Sequence, residues 1–284
     1  MFANAYAIAS QYTHPVLLSF RYFDKSVESG LGSFVIINEE GWIMTAAHIL
    51  DPLFQFQQHA IEIEKYKASM KSSSSTGSNI SYFAPNPKWL TNFSHWWGAD
   101  HHRINNFMIL KENDFAIGKI ENYNPGFVSQ YPVFKNPDVL MNGTSLCKLG
   151  YPFYDVKATF NEANNSFMFD PSIFPIPKFP IEGIFTRNNK AGKSADKKFD
   201  IQYIETSSPG LRGQSGGPIF DVEGKIWAIQ SQTRHLPLGF TPKIRKGNQE
   251  IEENQFLNVG WGVHIKTILR FLDEHGVKYR KSEV

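Results

Sequence analysis

Six residues, Gly213-Gln214-Ser215-Gly216-Gly217-Pro218, restrict this chain more than any other stretch. A serine hydroxyl is a weak nucleophile unless a base removes its proton and fixed donors receive the oxyanion that forms. Glycines around the serine meet the second need. They reach backbone conformations barred to residues with a Cβ, so N–H groups can converge on one point. Ahead of the motif, Ser207-Ser208-Pro209-Gly210-Leu211-Arg212 is loop-like. Behind it, Ile219-Phe220 and Lys225-Ile226-Trp227-Ala228-Ile229 read as two apolar strands joined by a turn at 221–224. The serine is therefore expected on a tight loop before a hairpin, not on a strand-to-helix elbow.

A serine of this kind needs a base and an acid to orient it, and the upstream sequence offers both. Trp42-Ile43-Met44-Thr45-Ala46-Ala47-His48-Ile49 is an apolar strand ending in a histidine, and Asn113-Asp114-Phe115-Ala116-Ile117-Gly118-Lys119-Ile120 is an aspartate leading a strand. Together the three segments resemble the nucleophile, histidine and aspartate motifs of the trypsin/chymotrypsin-like serine proteases. The nearest branch is the bacterial high-temperature-requirement type. The order His48, Asp114, Ser215 is that family's order and differs from the subtilisin and α/β-hydrolase orders. Two smaller pieces agree. Leu149-Gly150-Tyr151-Pro152 resembles a tetrad of the bacterial branch, and Gly30-Leu31-Gly32-Ser33-Phe34 resembles its G-x-G-S/T-G-F segment with one glycine missing after Ser33.

The resemblance implies an all-β fold of two six-stranded antiparallel β-barrels with long loop insertions and a C-terminal helix. The first barrel is expected over 1–130, carrying His48 and Asp114, with an insertion at 51–112. The second is expected over 131–284, carrying Ser215, with an insertion at 153–181 and a closing helix at 266–276. At 284 residues and 41% hydrophobic, with 24 phenylalanines, the chain has core enough for this. A net charge of +2 gives no reason to expect nucleic acid or an anionic membrane as partner, and no segment reaches the roughly 18 apolar residues of a membrane span. The lone Cys147 cannot form an intrachain disulfide and no signal peptide is visible, so a cytoplasmic, bacterial protein is expected.

Local patterns fill in the rest. Residues 5–24 read as a short helical piece and a first strand from Val16 to Phe23. Ile61 to Ala68 is helical in character, and the serine run from Lys71 to Ser78 is expected as a flexible loop. The tract 93–102 contains four competent metal ligands, His95, Asp100, His101 and His102, but their spacing matches no zinc pattern. It is read as an aromatic loop folded over the barrel, with no metal and no cofactor. The proline-laden stretch 153–180 is expected as a surface loop, or a substrate flap, rather than a central strand. The basic residues 188–198 are read as a solvated hairpin loop.

By the resemblance, Ser215 attacks a peptide carbonyl, His48 takes and returns the proton, and Asp114 fixes the imidazole tautomer. The N–H groups of Gly213 and Ser215 form the oxyanion hole. Ser231 supports the aspartate and opens the substrate-pairing segment Ser231-Gln232-Thr233. Pro209 falls at the pocket floor, where it offers no carboxylate for a basic P1 side chain. Gln230 and His264 are candidates for lining the pocket and favouring a polar or acidic P1; the equal alternative is that His264 packs in the core and the pocket takes small apolar groups. Gln214 stands where vertebrate enzymes have an aspartate, which excludes activation by a newly cut ammonium and leaves loop ordering or an activating protein partner. The expected activity is that of a serine endopeptidase acting on a protein or peptide, a selective bacterial enzyme of a stress or defence pathway. The alternative is a closed pseudoprotease that serves as a binding module.

Overall fold

The computed structural model describes residues 1–76, 84–99, 102–247, 249–252 and 255–283. Helix α1 (Ala3–Tyr12) runs directly into β1 (Thr13–Tyr22), followed by β2 (Val27–Ile36) and β3 (Trp42–Thr45). Helix α2 (Asp51–Thr76) comes next, then β4 (Leu90–Trp96), β5 (Ile104–Leu110) and β6 (Phe115–Ile120). These strands form a six-stranded antiparallel sheet in the order β4-β1-β2-β3-β6-β5.

Two expectations are corrected here. The stretch 51–112 is not foreign to the barrel, because β4 and β5 supply the two edges of its sheet. Phe93 pairs with Phe20 and Trp96 with Leu17, so the tract expected as a loop is a strand to Trp96. Its aromatic side chains gain more by packing across β1 than a loop would give them. The serine run expected as a flexible loop also continues α2 as far as Thr76, since extending a helix costs little once it is nucleated. Gly77 and Ser78 of that run, and Asp100 and His101 of the histidine tract, lie outside the described residues.

The second half contains β7 (Val133–Phe134), β8 (Ser145–Gly150), the hairpin β9 (Ala158–Asn161) and β10 (Ser166–Phe169), then β11 (Phe179–Lys193) and β12 (Asp200–Thr206). After these come β13 (Pro218–Phe220), β14 (Lys225–Pro237), the hairpin β15 (Lys243–Lys246) and β16 (Gln249–Glu252), and β17 (Phe256–His264). Helix α3 (Ile265–Glu274) and β18 (Arg280–Lys281) close the chain. The hydrogen-bonded order β13-β8-β11-β12-β17-β14 returns to β13 through the β13–β14 pair, which makes a closed six-stranded barrel. Closure removes the exposed edges an open sheet would carry. β7 and β18 attach to it in parallel.

The double-barrel expectation is therefore met, with the closing helix at Ile265–Glu274. Two strand boundaries differ from it. Pro180 belongs to β11, opposite Leu149, and β11 runs on to Lys193 against Asp200, so most of the expected solvated loop is paired. The core between the barrels joins Phe34, Ile36 and Ile117 of the first to Phe220, Ile229 and Val263 of the second. Ile265, Ile268, Leu269 and Leu272, spaced for one helix face, seal it from below. Among the described residues no helix is long and apolar enough to cross a membrane.

Candidate active site

β3 delivers its last residue, Thr45, into the core, and a single 3-10 turn (Ala47–Ile49) then swings His48 out to the surface. On the neighbouring strand, the turn Lys111–Asn113 ends with Asp114 in the left-handed region at φ 54°, where aspartate is among the better-tolerated residues. The turn is tied to the second barrel by Asn113 Nδ2 donating to the Asp200 carbonyl (3.0 Å) and Tyr203 Oη donating to the Glu112 carbonyl (3.1 Å).

These placements bring the carboxylate and the imidazole together. His48 Nδ1 lies 3.0 Å from Asp114 Oδ1 and 2.9 Å from Oδ2, and the His48 backbone N–H donates to Oδ1 at 2.9 Å. Ser231, which arrives on β14 from the other barrel, donates its hydroxyl to Oδ2 at 2.5 Å. A carboxylate so surrounded keeps Nδ1 protonated and Nε2 free as a base. Burial pulls the His48 pKa down, but the hydrogen bond and charge of Asp114 outweigh it and hold the imidazole above its ordinary value. The His48 side chain remains 42% exposed, so a substrate can reach it.

Ser215 sits between glycines that nothing else could replace. Gly213 has φ 98° and Gly216 φ 82°. A Cβ on Gly216 would lie 2.1 Å from the Ser33 carbonyl oxygen and 2.3 Å from Thr45 Oγ1, so the nucleophile loop is pressed against the strands leading to His48. The loop is braced internally as well. Gly216 N–H donates to the Gln230 carbonyl and Gly217 N–H to the Gln214 carbonyl, both at 2.8 Å. Gln214 is fully buried, and its side chain accepts from Leu211 N–H (3.0 Å) and donates to the Phe179 carbonyl (3.4 Å). Among the described residues, Ser215 Oγ and His48 Nε2 carry no hydrogen bond. Such bonds commonly tighten only once substrate is bound.

A hollow of about 180 Å³ adjoins Ser215, lined by Gly210, Arg212, Gln230, Ser231, Gln232 and Thr233. Thr233 Oγ1 donates to the Gly210 carbonyl (2.5 Å) across it, and no carboxylate lines it. The buried Gln230 side chain donates through Nε2 to the carbonyls of Gln232 (3.0 Å) and Trp261 (3.3 Å), while its Oε1 is left without a hydrogen-bond partner among the described residues. A larger hollow of about 370 Å³ lies against Gly213, Arg212, Leu31, Phe153 and Asp155.

Two pocket expectations do not survive. Pro209 does not line the hollow; its carbonyl accepts from Lys148 Nζ at 2.8 Å. His264 points elsewhere and caps α3, its Nδ1 accepting from Lys266 N–H at 3.0 Å, and burial pushes its pKa down to about 4. Among the candidate metal ligands, His95 Nε2 bonds the Ile49 carbonyl (3.0 Å) and stacks on Trp97, while His102 packs edge-on against Phe127. The described residues contain no cluster fit to hold a metal ion.

The sequence reading overlooked Lys148. It is buried, donates to Thr206 Oγ1 (3.0 Å), the Ser208 carbonyl (2.5 Å) and the Pro209 carbonyl (2.8 Å), and has its pKa pushed by burial to about 7. A lysine inside the apolar run Leu146-Cys147-Lys148-Leu149 was the available signal.

The sequence matches the family described as trypsin-like peptidase domain over residues 32–229. No curated protein sequence matches it. Among solved structures, HtrA-type protease AlgW with tripeptide is 16% identical with a TM-score of 0.46, the match covering 98% of this chain and 65% of that one. HtrA-type protease AlgWS227A with decapeptide is 13% identical with a TM-score of 0.49, covering 97% of this chain and 68% of that one. The chain thus spans about two thirds of the length of the structures it matches.

Proposed function

The chain belongs to the trypsin-like peptidase family, and from that premise we propose that it is a serine endopeptidase working through Ser215, His48 and Asp114. One observation carries the reading: an imidazole clasped through Nδ1 by a carboxylate that also holds Ser231, beside a glycine-framed serine. In the reaction, Ser215 Oγ attacks the scissile carbonyl carbon as its proton passes to His48 Nε2. Asp114 stabilises the imidazolium that forms. The N–H groups of Gly213 and Ser215 receive the oxyanion. Collapse of the tetrahedral species returns the proton to the leaving amine and leaves an acyl-enzyme, which water then hydrolyses by the same steps in reverse.

The small hollow beside Ser215 suits a short, uncharged P1 side chain. It has no carboxylate in its lining for arginine or lysine. A cytoplasmic site of action is supported by the single buried cysteine, Cys147, which has no partner for a disulfide.

The test is incubation of the purified chain and of Ser215→Ala with a proteome-derived peptide library, with new termini mapped by mass spectrometry. Cleavage by the wild type alone, after small uncharged residues, supports the reading. Cleavage that persists in Ser215→Ala would refute it.

A further inference from the structure

Ser33 belongs to the first sheet, on β2, yet its hydrogen bonds end on the nucleophile loop. Its N–H donates to the Ser215 carbonyl at 2.8 Å. Its hydroxyl, 180 residues away in sequence, donates to the Gly213 carbonyl at 2.8 Å. Its own carbonyl accepts from Thr45 Oγ1 at 2.8 Å, which ties it to the strand leading into His48. The residue is completely buried. Gly150 makes room for the hydroxyl, because a Cβ there would come within 2.9 Å of Ser33 Oγ.

The two carbonyls that Ser33 holds belong to the two residues whose N–H groups are proposed to receive the oxyanion. Neither N–H donates to another protein group among the described residues. Gly213 lines the larger hollow and Ser215 the smaller one. We infer that Ser33 is a positioning residue for the oxyanion hole. By holding the peptide planes that follow Gly213 and Ser215 against the first barrel, it restrains the backbone on the C-terminal side of each donor residue, and so limits how far the Gly213 and Ser215 N–H groups can turn from the cleft. The inference rests on the peptidase reading above.

The hydroxyl, and not merely a small side chain, is what the geometry requires. Any residue would supply the backbone N–H that reaches Ser215. The Gly213 carbonyl, in contrast, has two partners, the Ser33 hydroxyl and the Tyr151 N–H at 3.1 Å, and only the hydroxyl depends on side-chain identity. Gly213 itself is a poor keeper of its own orientation, since a glycine at positive φ rotates to other conformations at little cost. The clamp therefore has to come from outside the loop. Ser33 and Gln214 together supply what an ion pair to a newly cut N-terminus would supply elsewhere, an ordered loop.

Saturation labelling of the full chain with fluorophosphonate-rhodamine separates this role from simple packing. The phosphonyl oxygen gains negative charge during the reaction and needs the hole, so the limiting rate (kinact) reads the hole while KI reads binding. In Ser33→Ala and Ser33→Gly, kinact is expected to fall roughly tenfold to a hundredfold, short of the loss on deleting a donor outright. KI and Tm should move little, and Ser33→Thr, which keeps the hydroxyl, should recover most of the rate. Should Ser33→Ala not fold, Ser33→Gly carries the same comparison. An unchanged kinact in the variants lacking the hydroxyl, or an equal fall in Ser33→Thr, overturns the inference while leaving the peptidase reading intact. A wild type that takes no label overturns both.

Discussion

The ammonium of Lys148 lies 2.8 Å from the carbonyl of Pro209, and it holds Ser208 and Thr206 at the same time. A lysine with all three donors engaged on a loop beside the cleft is a structural pin.

Replacing the pin should loosen the wall. Lys148→Met leaves the carbonyls of Ser208 and Pro209 without that donor, and is expected to destabilise the fold by about 1–3 kcal/mol. Thermal unfolding measures the loss, and a raised KM for peptide substrates should accompany it. An unchanged Tm would show that the pin is dispensable.

His264 makes the opposite case, a residue that matters for stability and not for the pocket. As the cap of α3 it accepts from Lys266 N–H, so His264→Ala should cost roughly 1 kcal/mol. Peptidase kcat/KM should stay at the wild-type level. A changed P1 preference in this variant would return His264 to the pocket.

Acid should destabilise the chain through three histidines. Burial pushes the pKa values of His14, His95 and His264 down to about 4, with the charge of Lys178 adding to the effect at His14. Their unfolded values are about 6.5, so between roughly pH 6.5 and 4 the unfolded chain binds protons that the native one refuses. Stability from these groups is complete above that window and is lost as pH falls through it. A Tm series from pH 7 to 4 should therefore slope downward, less steeply in His95→Asn.

Activity should have an acid limit of its own. The base must be neutral, and Asp114 holds the His48 pKa above its ordinary value. The acid limb of kcat/KM should therefore have its midpoint above about 6.5. In Asp114→Asn the midpoint should move down, because burial is then opposed only by the charge of Asp51, and kcat should fall by about 10⁴. A limb that does not move would mean that another group titrates.

The parts legible in the sequence were those with a local chemical signature. Ser215 stood out because its glycines have a backbone reason to be there, and His48 and Asp114 because each joins an apolar strand end. The double barrel followed from the resemblance those motifs carried. What could not be read depended on partners distant in the chain. Leu90 to Trp96 has no strong alternation, and becomes a strand because β1 offers it an edge. Pro180 enters a sheet because β8 lies beside it. Pro209 is expected at the pocket floor by the resemblance, and His264 either in the pocket or in the core, because position along the chain does not settle which way a side chain points. The role of Lys148 has no local signature, because the carbonyls of Ser208 and Pro209 that it holds lie about 60 residues further along the chain.

The central claim is that Ser215 is an activated nucleophile. Fluorophosphonate labelling of the wild type, Ser215→Ala and His48→Ala, with the modified peptide identified by mass spectrometry, tests it most directly. The account predicts a single label on Ser215 that disappears in both variants. A label on another residue, or none on the wild type, would contradict it.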